Sequence, residues 1–315
     1  MTVAHLHLLL NHIPTIGFGV GFGLLLLAIV RKSDHLNQAS YEAFLIVALL
    51  TIPTYMSGVA AQATIEGLPD VSTAAIAAHQ DAALLAFLFM EITGVVAWLG
   101  LWQVRRISRP PWNGAAVLLL SIVTLVLMAN ASNIGGDIRH PEIHAGQVAT
   151  ATDGTASSET LGIDSKLVSQ FVSRHTWVWP LCEILHFVGL CLLLGVVLVV
   201  NLRLLGLMKS ISFAAVHSLL PWGVLGFGLN LFTGMLFFIG TPEQYVANVA
   251  FYWKMTFVLL AGMNALYLTM FKQVWDVAPG DDAPMTGKVI AASAIFLWAG
   301  VLYFGRMLPY IGNSF

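Results

Sequence analysis

The sequence is poor in charged residues. Only 10% of its 315 residues are Asp, Glu, Lys or Arg, whereas 58% are hydrophobic and the mean hydropathy is +0.82. Because a soluble domain carries about 25% charged residues, this composition excludes an ordinary soluble protein and indicates one embedded in membrane lipid. The net charge of −2 provides no basic surface, so we expect no nucleic-acid partner.

Cysteine is also scarce, which limits the role of disulfides. The two cysteines, Cys182 and Cys191, lie nine positions apart on one apolar segment. On a helix that separation is a rise of roughly 13 Å, too far for a disulfide. We expect both to be packing residues.

Long hydrophobic runs are what the sequence has in abundance. A membrane span needs about 20 apolar residues, and eight runs reach that length. They cover approximately residues 8–30, 41–62, 75–103, 113–134, 175–207, 212–240, 250–275 and 286–309. The first run is interpreted as a span rather than a cleaved signal, because no small-residue cleavage site follows it.

The basic residues give these spans an orientation. Nine of them fall on one side: Arg31, Lys32, Arg105, Arg106, Arg109, Arg203, Lys209, Lys272 and Lys288. Five fall at or near the other: Arg139, Lys166, Arg174, Lys254 and Arg306. The positive-inside rule makes the first side cytoplasmic, so both termini are predicted to be extracytoplasmic.

The predicted fold is all-α, with eight transmembrane helices in two parallel four-helix bundles. The bundles are expected at 1–134 and 174–315, joined by an extracytoplasmic loop at 135–173. A faint repeat supports this division. The first and fifth spans each have a histidine near the outer end, then a glycine, an aliphatic run and a basic residue. Two halves of four spans would share one orientation in the membrane.

Two histidines suggest a cofactor. His12 and His79 begin the first and third spans at similar depth, and these helices are diagonal neighbours in an up-down bundle. Small residues follow on the same helical faces, Gly19 below His12 and Gly94 below His79, and would leave a slot for a flat macrocycle. We predict that the two imidazoles bind the iron of haem b. The alternative is close helix packing at the glycines with satisfied polar histidines.

Other histidines are weaker candidates. His140 and His144 form an HxxxH pair that could bind a metal or supply an axial haem ligand. His186 follows Glu183 in a single ExxH motif, which could exchange protons with a quinone or support a haem ligand. His5, His7, His35 and His175 are expected to be interface residues that headgroup water satisfies.

Three further charged residues complete the candidate set. Glu91 lies deep in the third span and is a candidate for proton transfer or for contact with a quinone. The alternative is a protonated acid that is simply hydrogen-bonded. Lys254 and Arg306 lie at outer helix ends, where they could pair with haem propionates or extend to the interface. On the seventh span, Lys254 takes the place that would face His186, so the second half lacks an obvious histidine pair.

Several stretches carry a resemblance. "LNHIPTIG", "AAHQDAALLAF", "EITG" and "GGDIRHPEIH" in the first half resemble an uncharacterised bacterial four-helix membrane-protein family. "EILHFVGLCLLLGVVLVVNLRLLGL", "LLPWGVLGFGLNLFTGMLFF" and "FYWKMTFVLLAGMNALYL" in the second half resemble another. Both are similar to b-type cytochrome bundles. The resemblance implies redox work in a bacterial inner membrane, beside a periplasmic dehydrogenase or c-type cytochrome.

The functional expectation is therefore a b-type cytochrome or a haem-carrying subunit of a larger complex, with one or two haem b groups. It would move electrons between a quinone and an extracytoplasmic redox partner, without catalysis of its own. The histidine-rich side would face the periplasm. Two alternatives stay open: a cofactor-free structural subunit or small-molecule carrier, and a metal-dependent enzyme using "HPEIH" and the ExxH motif.

Overall fold

A computed structural model describes residues 3–65, 72–103, 111–139, 161–270 and 280–311. Within these ranges the chain is helical and contains no strand. The helices are α1 (Val3–Leu10), α2 (His12–Arg31), α3 (Asp34–Ile65), α4 (Thr73–Gln103), α5 (Pro111–Arg139), α6 (Ser165–Arg174), α7 (Val178–Leu204), α8 (Phe213–His217), α9 (Leu220–Gly240), α10 (Pro242–Val246), α11 (Val249–Met270) and α12 (Met285–Met307).

Eight helical segments in the described part of the chain are long and apolar enough to cross a membrane. They are Val3–Arg31, Asp34–Ile65, Thr73–Gln103, Trp112–Gly136, Val178–Leu204, Ala215–Gly240, Val249–Met270 and Met285–Met307. The prediction of an all-helical chain with eight such segments is confirmed.

Local sequence sets where these helices begin. The helix is interrupted at Asn11, between α1 and α2. Pro14 follows closely and lacks the N–H needed for a helical hydrogen bond. The next helix starts at Asp34, because the Ser33 Oγ accepts a hydrogen bond from the Leu36 N–H at 3.4 Å. A hydroxyl at this position satisfies one of the free N–H groups at a helix start.

The chain forms two compact units. Unit 1 comprises Met1–Ala97 and Pro110–Ser165, and unit 2 comprises Trp98–Arg109 and Lys166–Phe315. The predicted linker at 135–173 is not a loop throughout, because α5 continues to Arg139 and α6 begins at Ser165. The two-bundle boundaries remain a prediction.

Close helix contacts organise each unit. In unit 1, Phe18 of α2 packs on Phe44 of α3 with ring centroids 4.8 Å apart. In unit 2, α7 and α9 approach closely at Gly189 and Gly226. A Cβ built at Gly226 would lie only 2.7 Å from the Gly189 carbonyl oxygen. Small residues allow this approach of membrane helices.

Candidate functional site

His7 lies on α1 and turns towards α3. Its Nδ1 is 3.1 Å from the Thr54 carbonyl oxygen and 3.2 Å from the Ser57 Oγ. The ring is half-buried and rests on Gly58, where an added Cβ would lie 2.9 Å from Cε1. The histidine is thus held by polar atoms and by a glycine on one neighbouring helix.

His79 is held in the same way between α4 and α5. Its Nδ1 is 2.9 Å from the Ala131 carbonyl oxygen. A Cβ at Gly135 would lie 2.8 Å from the ring Cε1 and 2.9 Å from Nδ1, so only glycine leaves room for the imidazole there.

The hydrogen-bond partners fix the tautomer of both rings. A carbonyl oxygen only accepts, so the proton of each neutral ring must sit on Nδ1. The Ser57 Oγ agrees with this, since its own proton goes to the Thr54 carbonyl at 2.8 Å and it can therefore accept from His7. Each Nε2 then carries a lone pair, and neither Nε2 is hydrogen-bonded to another described residue.

His7 and His79 both belong to unit 1, and both rings are half-buried. Their partners come from α3 and α5, so all four spans of unit 1 contribute to this part of the structure. We call His7 and His79 the unit 1 histidine pair.

The predicted partner of His79, His12, is placed elsewhere. His12 lies on an exposed face of α2, where its Nδ1 contacts the Asn11 side chain. Gly19 on the same helix is also exposed, and a Cβ there would meet nothing within 4 Å. In the structure His12 is thus exposed, whereas His7 and His79 are half-buried. Sequence reasoning missed His7 because it precedes the predicted first span, although the apolar run on both sides of it is the signal that α1 continues outward.

Gly94 serves helix packing rather than a slot. A Cβ at this position would lie 2.5 Å from the Ala48 Cβ and 3.6 Å from the Phe44 carbonyl oxygen. The space beside Gly94 is thus filled by α3. This is the packing alternative that the sequence left open.

His186 in unit 2 is held partly as His7 and His79 are in unit 1, by a polar atom and a glycine of a neighbouring helix. Its Nδ1 is 2.8 Å from the Thr233 Oγ1 on α9, and its Cε1 is 3.8 Å from a Cβ built at Gly234. Lys254 of α11 is half-buried, and its side chain passes Gly305 of α12, where a built Cβ would be 3.9 Å from Nζ.

Glu183 and Arg306 lie at exposed positions of unit 2. The Glu183 Oε1 accepts a hydrogen bond from the Trp179 Nε1–H at 3.2 Å. Burial, together with the charge of Glu183, raises the pKa of Tyr245 on α10 to about 12. The Arg306 guanidinium lies 5.8 Å from the centroid of the Tyr310 ring. Neither residue is hydrogen-bonded to His186 or Lys254 in the structure.

Two buried polar groups of unit 1 have unsatisfied oxygens. The Glu91 Oε1 and the Tyr55 Oη are buried and have no hydrogen-bond partner among the described residues. Tyr55 stacks on Phe87 with ring centroids 5.1 Å apart. Buried polar atoms without partners are uncommon, so Glu91 keeps its place as a candidate proton-carrying group.

The remaining predicted ligands, His140 and His144, lie outside the described residues. Among the residues that are described, no group of three or more His, Cys, Asp or Glu side chains could hold a metal ion. Haem makes a different demand, because the porphyrin supplies four ligands and the protein only one or two. The His7 and His79 rings each direct the Nδ1 proton to a carbonyl and keep an Nε2 lone pair, as an axial haem ligand requires.

No protein-family model, curated protein or solved structure matches this chain.

Proposed function

We propose that the protein is a membrane-embedded b-type cytochrome or a haem-carrying subunit of an electron-transfer complex. The observation that carries this proposal is the unit 1 histidine pair, with both Nδ1 protons directed to backbone carbonyls. Metal-binding histidines almost always donate their other ring N–H to a carbonyl or carboxylate, which fixes the tautomer and raises the basicity of the ligand.

His7 and His79 would bind the haem iron, in place of the His12 and His79 pair that the sequence suggested. Bound haem supplies one-electron transfer, and the chain holds and orients it. Gly58 and Gly135 set where each ring sits, because a side chain at either position would displace the imidazole.

One haem per chain is the expected number. Unit 2 has two described histidines that are not exposed, His186 and His217, and they do not lie at one depth. His186 is bonded to Thr233, whereas His217 lies 16 positions before Thr233 in the span Ala215–Gly240 and stacks on Trp102.

The setting of the site supports a role at the outer side of a bacterial inner membrane. By the positive-inside rule, both termini and the outer ends of the spans face the periplasm in two parallel four-helix bundles. His7 and His79 lie near such outer ends. The protein would therefore pass electrons between a membrane quinone and a periplasmic c-type cytochrome, a dehydrogenase or a larger complex.

Three single substitutions test the assignment. His7→Ala and His79→Ala should each abolish or strongly reduce the haem b signal in the reduced-minus-oxidised spectrum of the purified protein. His12→Ala, the matched control on the same span, should keep it, because His12 is exposed. Loss of haem in His12→Ala, with haem retained in His7→Ala, would reverse the assignment.

One observation favours a second candidate, a cofactor-free structural subunit or small-molecule carrier. The contacts of Gly94 with Ala48 and of Gly189 with Gly226 explain these glycines by packing alone. That function predicts a colourless protein from its native membrane, which copurifies with a complex or binds a small molecule.

A further inference from the structure

Helix α6, most of which belongs to unit 2, is fixed to that unit by one of its sides. Val172 is 1% exposed and belongs to a buried apolar cluster with Cys182 of α7. The Ser169 Oγ donates a hydrogen bond to the Gly240 carbonyl oxygen at 3.2 Å, and a Cβ built at Gly240 would lie 2.9 Å from the Val172 Cγ1. This side of α6 is therefore packed against α7 and α9.

The rest of α6 is exposed and divides into an apolar side and a polar side. Leu167 and Phe171 lie one helical turn apart and are 63% and 47% exposed. At about 100° per residue, the exposed polar residues lie on the other side: Lys166, Gln170 and Ser173, with Arg174 at the border between the two sides. The helix contains no acidic residue. It thus has three sides, one packed on protein, one apolar and one polar with positive charge.

The apolar side of α6 continues into an exposed side of α7. The Phe171 ring centroid lies 4.7 Å from that of His175 and 6.1 Å from that of Trp177. Trp177 directly precedes the span Val178–Leu204. The positions four, seven and eleven residues after Trp177, which share its side of a helix, are the exposed Leu181, Ile184 and Val188. An exposed apolar side of a membrane span lies against lipid, so the apolar side of α6 is continuous with a lipid-facing surface.

We propose that α6 lies along the surface of the lipid bilayer at the start of α7, with Leu167, Phe171 and Trp177 inserted between the lipid headgroups. Helices with Leu and Phe on one side and Lys or Arg on the other bind this boundary, with the apolar side about 5–10 Å deep in it. Tryptophan is enriched at the same level of membrane proteins. Lys166 and Arg174 would lie near the lipid phosphates. The inference does not depend on the proposed cytochrome.

Nitroxide spin labels on single cysteines test this placement in the full-length protein in nanodiscs of phosphatidylethanolamine and phosphatidylglycerol. Molecular oxygen concentrates in lipid, whereas a water-soluble nickel chelate stays outside it, so the accessibility of a label to each reports its surroundings. The exposed native cysteine is first removed in Cys191→Ala. The remaining Cys182 is 4% exposed and should take up no label. If it does, Cys182→Ala is added.

Labels in Leu167→Cys and Phe171→Cys should show a several-fold higher oxygen-to-nickel accessibility ratio than labels in Gln170→Cys and Ser173→Cys, the matched controls on the polar side of the same helix. Equal ratios at all four positions would overturn the inference, because both sides of α6 would then have the same surroundings. Protection of positions 167 and 171 from both reagents would also overturn it, in favour of a protein partner such as a second copy of the chain. Thermal unfolding identifies a variant that fails to fold, and the other apolar position then decides the test.

Discussion

The sharpest prediction concerns the glycine that supports His79. In Gly135→Ala, the new Cβ would lie 2.8 Å from the His79 Cε1, whereas ordinary contact begins at 3.4 Å, so the ring must move by about 0.6 Å. A shift of that size can stretch the 2.9 Å bond to the Ala131 carbonyl to about 3.5 Å, beyond normal hydrogen-bond range. The lost bond costs about 1 kcal/mol, and disturbing such a partner lowers metal affinity by about 10- to 100-fold.

Gly136→Ala is the matched control. A Cβ at Gly136 would meet nothing within 4 Å, and replacing a helical glycine with alanine stabilises by about 0.5–1 kcal/mol. Haem titration of the two purified variants, followed by visible absorption, should show weakened binding only in Gly135→Ala. Equal haem affinity in both variants would refute the argument that the Gly135 contact positions a haem ligand.

Two predictions concern the loops of unit 2. Gly206 (φ +88°) and Gly280 (φ +92°) both adopt left-handed backbone conformations, so alanine at either should lower the free energy of unfolding by about 1–2 kcal/mol, as measured by thermal unfolding. Gly206→Ala should lower it more than Gly280→Ala, because the new Cβ at position 206 would also lie 2.9 Å from the Asp282 Oδ1. The hydrogen bond from Lys209, at 3.0 Å, lowers the pKa of Asp282. The stabilisation that the ionised Asp282 provides is therefore complete above the ordinary aspartate pKa of about 3.9. It is lost as the pH falls through the lower pKa of the folded state. Melting temperature should decline over that acidic range more in wild type than in Asp282→Asn, and parallel declines would contradict the assignment.

The spans could be predicted from sequence because lipid demands a continuous apolar run. Their exact ends could not, because a helix continues into polar residues wherever its backbone groups are satisfied. The segment predicted at 41–62 is Asp34–Ile65 in the structure, and its start depends on the Ser33 hydroxyl. A hydropathy profile does not detect such a helix N-cap.

The candidate site could be predicted only in part. His79 was identified from its position at the outer end of a span, and the structure holds it by a carbonyl and a glycine. Which of the two histidines, His7 or His12, is half-buried depends on how α1 and α2 turn about Asn11; His7 is half-buried and His12 is exposed. Sequence spacing alone assumes one continuous helix and does not resolve that choice.

The most direct test of the cytochrome proposal is a reduced-minus-oxidised visible spectrum of the full-length protein purified from its native membrane, with a pyridine haemochrome assay for stoichiometry. The structure-based proposal predicts a b-type spectrum and one haem per chain, bound through His7 and His79. Protein without haem would contradict the proposed function, and two haems per chain would contradict the expectation that only unit 1 binds haem.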